Sequence, residues 1–350
     1  MIEIKGTYGE AKVFTEFLEE SARGQITALC EQEFVKDSKI RIMPDVHAGK
    51  GCTIGTTMTI GDYVVPNLVG VDIGCGMLTV ALKEKRINLP ELDSFIRKNI
   101  PAGRELRERT HRSHGRIDIE ELRCYKHIDT RRAKESLGTL GGGNHFIEVD
   151  KDDEGNLYLV IHTGSRNLGL RVADYYQAKA YKAVGGKSQS EVPYELAYLT
   201  GEDKADYLHD MELMQRFASL NRDIIKEVIL DGMKLHEVDS FTTIHNYIDV
   251  ETNILRKGAV SANKDEKLLI PMNMRDGSLI CIGLGNEDWN FSAPHGAGRR
   301  YGRKEAESSF TLSEFKKQME GIYTTSVAQD TIDESPMAYK PMEEILNNIG

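Results

Sequence analysis

In Gly70-Val-Asp-Ile-Gly-Cys-Gly-Met77 an acidic side chain, Asp72, and a thiol, Cys75, stand three residues apart among Gly70, Gly74 and Gly76. So many glycines weaken regular structure, because glycine loses the most conformational freedom on folding. What they allow is close backbone approach, by which a carboxylate and a thiolate can be turned towards one point. A hard oxygen beside a soft sulfur is a metal-binding pair once imidazoles join it. Other clusters repeat the form of strand, Gly-rich turn and reactive side chain: Asp45/His47, Asn144/His145/Glu148, His162/Ser165/Arg166 and His245/Asn246. If these turns converge, Asp72, Cys75, His145, His162 and His245 supply one carboxylate, one thiolate and three imidazoles. That is too many ligands for one catalytic ion with an open position, and it suits two ions sharing a bridging thiolate. Ligand preference alone favours zinc or cobalt here over manganese.

The cluster Phe291-Ser-Ala-Pro-His-Gly-Ala-Gly-Arg-Arg300 has another character. His295 sits among small residues, where a phosphorus atom can come close, with Arg299 and Arg300 available for its oxygens. A neutral imidazole is a competent nucleophile towards an activated phosphate, and the resulting P–N bond is labile. No Gly-x-x-x-x-Gly-Lys-Ser/Thr string occurs, which excludes a P-loop nucleotide site. His111 and His114, also three apart, lie in an Arg-rich polar stretch that is expected to be a solvated loop.

Strands and turns must present these groups. The stretch Ile40–Gly55 reads as a β-branched strand running into a loop that holds Asp45, His47 and Lys50; residues 63–82 read as short strands around the Asp72/Cys75 turn. Gly141–Val149 and Tyr158–Arg166 each join a strand to a Gly-containing turn, and 241–245, 268–271 and 279–282 are short strands. Apolar spacing predicts a helix or helix pair over 11–35, and a charged helical stretch is expected up to about 135. Residues 171–235 read as helical almost throughout, with Leu196, Leu199, Tyr207, Met211, Met214, Phe217, Leu220, Ile224 and Ile225 as a core-facing stripe. The last helical segments fall at about 303–320 and 341–348. With no repeats or low-complexity linkers, the expectation is one large α+β domain of mixed β-sheets over 1–350, carrying a helical insertion at about 171–235.

Composition narrows the function classes. The 350 residues are 40% hydrophobic and 29% charged, enough for a substantial core. A net charge of -10 repels nucleic acid at long range, so a polyanionic substrate requires a local basic groove. The five cysteines are scattered without a Cys-x-x-Cys pair, which speaks against a disulfide framework. The first residues hold no apolar signal core and no apolar run reaches membrane-spanning length, so a cytoplasmic protein is expected.

Taken together, Met-Pro-Asp-Val-His-Ala-Gly-Lys-Gly, Gly-Val-Asp-Ile-Gly-Cys-Gly-Met, Leu-Gly-Thr-Leu-Gly-Gly-Gly-Asn-His-Phe-Ile-Glu, His-Thr-Gly-Ser-Arg, His-Asn-Tyr, Arg-Lys-Gly-Ala and His-Gly-Ala-Gly-Arg resemble the RtcB family of RNA ligases, in family order from about residue 41 to 302. The resemblance implies a GTP- and manganese-dependent enzyme, with two Mn2+ ions, that joins RNA 3′-phosphate or 2′,3′-cyclic phosphate ends to 5′-hydroxyl ends in RNA repair or tRNA splicing, with the possible help of an activating partner protein. It implies metal ligands at Asp72, Cys75, His145, His162 and His245, with Cys75 bridging, and a guanylylated histidine at His295. Nucleotide contacts are implied at Asn144, His145, Phe146, Glu148, Asn246, Pro271, Met272, Asn273, Met274 and Ser278, and at His295, Gly296, Ala297 and Gly298, with Tyr339 beside the guanine. Asp45, Arg166, Arg256, Lys257 and Arg299 are candidates for contact with the RNA and its phosphates.

Three departures stand out. The family's usual Pro-Gly-Ser-Met-Gly is Pro271-Met-Asn-Met-Arg275 here, which adds bulk beside the expected triphosphate and brings in Arg275 as a further phosphate contact. The family's terminal Lys-Gly has no counterpart in Asn347-Asn-Ile-Gly350, and His162-Thr-Gly-Ser replaces a more usual His-Ser-Gly-Ser. Two other readings fit the same residues: an RNA-binding accessory protein with weakened catalysis, and a metal-dependent cyclic phosphoesterase that needs neither GTP nor His295.

Overall fold

A computed structural model describes residues 1–186 and 192–349. Its strands are β1 (Ile2–Lys5), β2 (Glu10–Val13), β3 (Ile40–His47), β4 (Ile54–Thr59), β5 (Gly76–Leu82), β6 (Phe146–Lys151), β7 (Leu157–Thr163), β8 (Glu237–Ile244), β9 (Asn246–Asp249), β10 (Ile254–Lys257), β11 (Ala259–Ser261), β12 (Lys267–Asn273), β13 (Gly277–Ile282) and β14 (Ser292–Pro294). They form a six-stranded sheet of order β1-β2-β3-β4-β10-β9, a four-stranded sheet β6-β7-β5-β8, and the pairs β11-β14 and β12-β13. The class is α+β, as the sequence leads one to expect.

β5 is the middle of the four-stranded sheet, antiparallel to both β7 and β8. It is buried along nearly its whole length, which is why Met-Leu-Thr-Val-Ala-Leu shows no polar alternation. The principal helices are α1 (Glu20–Cys30), α2 (Leu89–Asn99), the single turn α3 (Ala133–Ser136), α4 (Arg166–Ala183) and α5 (Gly201–Met233). The 33-residue α5 begins with Glu202 and Asp203, which suit the positive end of its dipole, and stops where Lys234 turns left-handed at φ 53°. The expected stripe from Leu196 to Ile225 is buried throughout. Part of it joins the core beside the six-stranded sheet, and Ile225 and Ile229 pack with Leu78, Val80, Leu159 and Ile161 of the four-stranded sheet. One helix thus braces both sheets.

Several local expectations need correction. Residues 10–13 are a strand, with the helix beginning at Glu20, because Ala11 and Val13 pair with Ile40 and Ile42 of β3. β3 runs on through Asp45 to His47, where a loop is expected from sequence. Ahead of the Asp72/Cys75 turn stands a short 3-10 helix, Pro66–Leu68, and a strand follows only on its far side. After α2 the chain to residue 135 is mostly 3-10 turns, whose polar side chains cap backbone N–H groups: Asp118 accepts from Glu120 N and His111 from Ser113 N. The stretch 171–235 is two helices, α4 and α5, with a 3-10 turn at Tyr194–Leu196; its residues 187–191 lie outside the described residues. Residues 303–318 divide into α6 (Arg303–Ser309) and α7 (Leu312–Gln318), because Thr311 starts a new helix with a capping box to Glu314. The chain closes with α8 (Met342–Ile349).

Candidate metal and phosphoryl-transfer site

Antiparallel pairing explains how residues far apart in sequence reach one place. Cys75 immediately precedes β5, His145 precedes β6, His162 is next to last in β7 and His245 follows β8. In an antiparallel sheet these positions all fall at one end. Met77 pairs with His162, Phe146 also pairs with His162, and Gly76 pairs with Ile244. His245 N then donates to Cys75 O at 3.0 Å. Asp72 joins from the preceding turn, where Cys75 N donates to its carbonyl at 3.1 Å. Two glycines make that turn possible. Gly74, at φ +71°, lies where a Cβ would come within 2.8 Å of Gln215 Cα on α5, and a Cβ on Gly164 would come within 2.2 Å of Asp72 Oδ1.

Cys75 Sγ lies 3.4 Å from His162 Nε2 and 3.6 Å from His145 Nε2, and His145 Nε2 lies 2.9 Å from Asp72 Oδ2. Two sets of ligand atoms are each close enough to hold an ion, Cys75/His162/His245 and Asp72/Cys75/His145, and Cys75 belongs to both. The second nitrogen of two imidazoles is engaged: His145 Nδ1–H donates to Leu140 O and His162 Nδ1–H to Asn144 O, each at 3.0 Å. With Nδ1 so engaged, Nε2 is the atom that each ring turns towards Cys75 and, for His145, towards Asp72 as well. Burial pushes His162 down to about 3 and His245 well below the usual imidazole value, so both are neutral at physiological pH. Burial works against ionised Asp72, but its hydrogen bond and charge interaction with His145 outweigh that and hold it below the usual carboxylate range. Burial and the nearby Asp72 push the Cys75 thiol up. An ion would reverse that, because the thiolate is the metal-binding form.

The donor set fits metal ions. It combines one thiolate, one carboxylate and three imidazoles, and His245 Nδ1 is buried without a hydrogen-bond partner. Behind it, α5 ties the turns together. The buried Arg222 donates from Nη1 to Gly74 O at 3.0 Å and to Thr163 O at 2.8 Å. Asn221 accepts from Gly138 N and Thr139 N and donates to Gly164 O. Neither residue stands out in a pass along the chain. The available signal is a polar pair placed within the apolar stripe between Leu220 and Ile224.

His295 follows β14 and its ring lies 5.0 Å from that of His245, centroid to centroid. Asp45 Oδ2 accepts from His295 N at 3.1 Å and lies 2.6 Å from His295 Nδ1. A carboxylate only accepts, so Nδ1 carries the hydrogen and Nε2 the lone pair. Asp45 is 0% exposed; a group placed among the RNA contacts is instead the holder of His295. A cavity of about 1700 Å3 opens in front of these residues, larger than the ~1,000 Å3 upper range of small-molecule sites. Asn144, His145, Phe146, Glu148, Asn246, Pro271–Met274, Ser278, His295–Gly298, Arg299 and Tyr339 all line it.

The remaining candidates fall elsewhere. Arg256, 1% exposed, spends its guanidinium on Ser292, Tyr247 and the carbonyls of Asn290 and Phe291. Lys257, 4% exposed, donates to Lys50 O and Asn67 O. Arg166 packs behind His145, with Nε on Thr139 Oγ1. These three support backbone and ligands from outside the cavity. Arg299 reaches the cavity but is held by Tyr301 O, Asp333 O and the Tyr339 ring. Arg275 is engaged with both carboxylate oxygens of Asp276 and with Gln318.

Residues 25–350 match the family profile described as tRNA-splicing ligase RtcB. The chain belongs to the RtcB family. It is 32% identical to the RNA-splicing ligase RtcB of Escherichia coli K12 over 94% of this chain and 90% of that protein. The tRNA-splicing ligases RtcB of Aeropyrum pernix and Nanoarchaeum equitans are 28% and 27% identical, over 87% of this chain and 82% and 83% of theirs. The end-of-sheet cluster thus sits in an RtcB ligase scaffold. Among the described residues no helix is long and apolar enough to cross a membrane.

Proposed function

We propose that this chain is a GTP- and Mn2+-dependent RNA ligase that joins RNA 3′-phosphate or 2′,3′-cyclic phosphate ends to 5′-hydroxyl ends through a guanylate on His295. The observation that carries this reading is His295, turned by Asp45, beside two ligand triads that share Cys75. Asp72, Cys75 and His145 would hold one ion, and Cys75, His162 and His245 the other. Bound ions would supply Lewis-acid stabilisation of phosphate charge. Manganese rests on the family resemblance; metal analysis of the isolated protein decides it against zinc or cobalt.

The chain's own residues carry the rest. His295 Nε2 attacks the α-phosphorus of GTP and pyrophosphate departs. The phosphorylated imidazole is positive and keeps its Nδ1–H, so the Asp45 carboxylate stabilises it through the bond it already makes. An oxygen of the RNA 3′-phosphate next attacks the same phosphorus, the P–N bond breaks and neutral His295 returns. The RNA 5′-hydroxyl then attacks the activated 3′-phosphate; the P–O bond to GMP breaks, GMP leaves, and the hydroxyl proton passes to solvent. A 2′,3′-cyclic end is first opened by water. Incubation with α-labelled GTP and Mn2+ followed by denaturing gel analysis tests the first step. Covalent label is expected on the wild type and absent from His295→Ala; full label on His295→Ala overturns the nucleophile. RNA binding without label favours an accessory protein, and opening of a cyclic end without GTP or joining favours a phosphoesterase.

A further inference from the structure

Glu148 and Asp150 lie on the same face of β6 and both line the cavity. Ser278, opposite them on β13, donates to Glu148 Oε1 at 3.4 Å, while Asp150 Oδ2 is buried with no hydrogen-bond partner. Among the described residues no cation faces the pair: the groups acting on these carboxyls are each other and Ser278. Neither joins a trio of ligand atoms able to hold a metal, among the described residues. Two neighbouring buried carboxylates with spare acceptor capacity are costly. What would satisfy them is a ligand edge with several N–H donors. Of the common nucleobases, guanine places N1–H and a 2-amino group side by side, whereas adenine presents a bare acceptor at N1.

We infer that Asp150 is a specificity residue for the purine: beside Glu148 it accepts from the 2-amino group of guanine. This rests on the guanine-nucleotide reading above and adds a residue to it. Inosine keeps N1–H and lacks the 2-amino group, so it isolates the contribution of Asp150 from that of Glu148. GMP and IMP leave no pyrophosphate and form no covalent adduct, which makes them suitable probes of binding alone.

The test is calorimetric titration of the full chain, with Mn2+, by GMP and by IMP. Wild type is expected to prefer GMP about 10- to 100-fold, the range of one hydrogen bond to a charged group. Asp150→Leu should bring the two nucleotides to near-equal affinity by weakening GMP alone. Asp150→Asn, which keeps an acceptor oxygen, should retain part of the preference and serves if the leucine variant does not fold. Equal binding of GMP and IMP by wild type overturns the inference, as does an unchanged preference in Asp150→Leu, or in Asp150→Asn where that variant stands in. Failure of the parent reading looks different: no label from GTP on His295 while the GMP preference and its loss remain.

Discussion

At the start of β6, His145 enters a cluster in which donors and acceptors already face one another; three and five residues further along the chain, Glu148 and Asp150 face no counter-charge among the described residues. The first group has its carboxylate on an imidazole, its imidazoles anchored on carbonyls, and an Arg222 clamp behind. The second has a long contact to Ser278 and an orphaned oxygen. Both are candidate binding sites, but of different kinds. Converging ligand atoms at the sheet end suit a cation, and carboxylates with spare acceptor capacity along the strand suit N–H donors.

Removing the shared atom of the first group breaks the comparison most sharply. Cys75→Ala takes one ligand from both triads, so metal content measured by atomic emission should fall from two ions towards none. Label transfer from GTP should drop by over roughly 10,000-fold. Asp45→Asn comes next: metal content is retained, but the amide can hold the wrong His295 tautomer, and the label rate should fall by about 100- to 10,000-fold. Arg222→Met leaves Gly74 O and Thr163 O unpaired in the interior. Stability should fall by about 2–4 kcal/mol in denaturant titration, with weaker metal binding alongside.

The second group answers to pH. Burial raises Glu148 and Asp150 above the ordinary carboxylate range, so the native chain holds protons that the unfolded chain releases. Their contribution therefore favours the fold at low pH and is lost as pH rises from about 4 through the raised native values, by up to about 1.4 kcal/mol per pH unit per proton. Asp150→Leu should flatten this slope in melts taken across pH and raise stability at neutral pH. The smallest effect is expected from Arg275→Gly, which restores the family's residue: with its guanidinium already on Asp276 at an exposed turn, KM for GTP should shift by less than about fivefold. A large gain in nucleotide affinity would instead show that bulk at 275 closes the second site.

Much of the first group is legible in the sequence, because each ligand sits in a short string where residue type and turn geometry are local properties. Cys75, His145, His162 and His245 each adjoin a strand end, and any antiparallel closure gathers them. The basic residues are not legible in the same way. Arg256 and Lys257 resemble exposed phosphate contacts in a linear reading, yet β10 lies inside a six-stranded sheet and buries both. Asp150 is equally silent, being one more acid in Asp150-Lys-Asp-Asp-Glu154 until its strand is paired.

The sequence by itself determined the family, the α+β class, the five candidate ligands and the candidate nucleophile His295, since these depend on residue type and on order along the chain. The tertiary structure alone decided that Asp45 holds His295, that Asn221 and Arg222 clamp the turns from a helix otherwise devoted to packing, and that Glu148 and Asp150 stand without a cation among the described residues. Partnership between side chains is set by strand register and burial. Both are non-local, and neither is written in any short stretch of the chain.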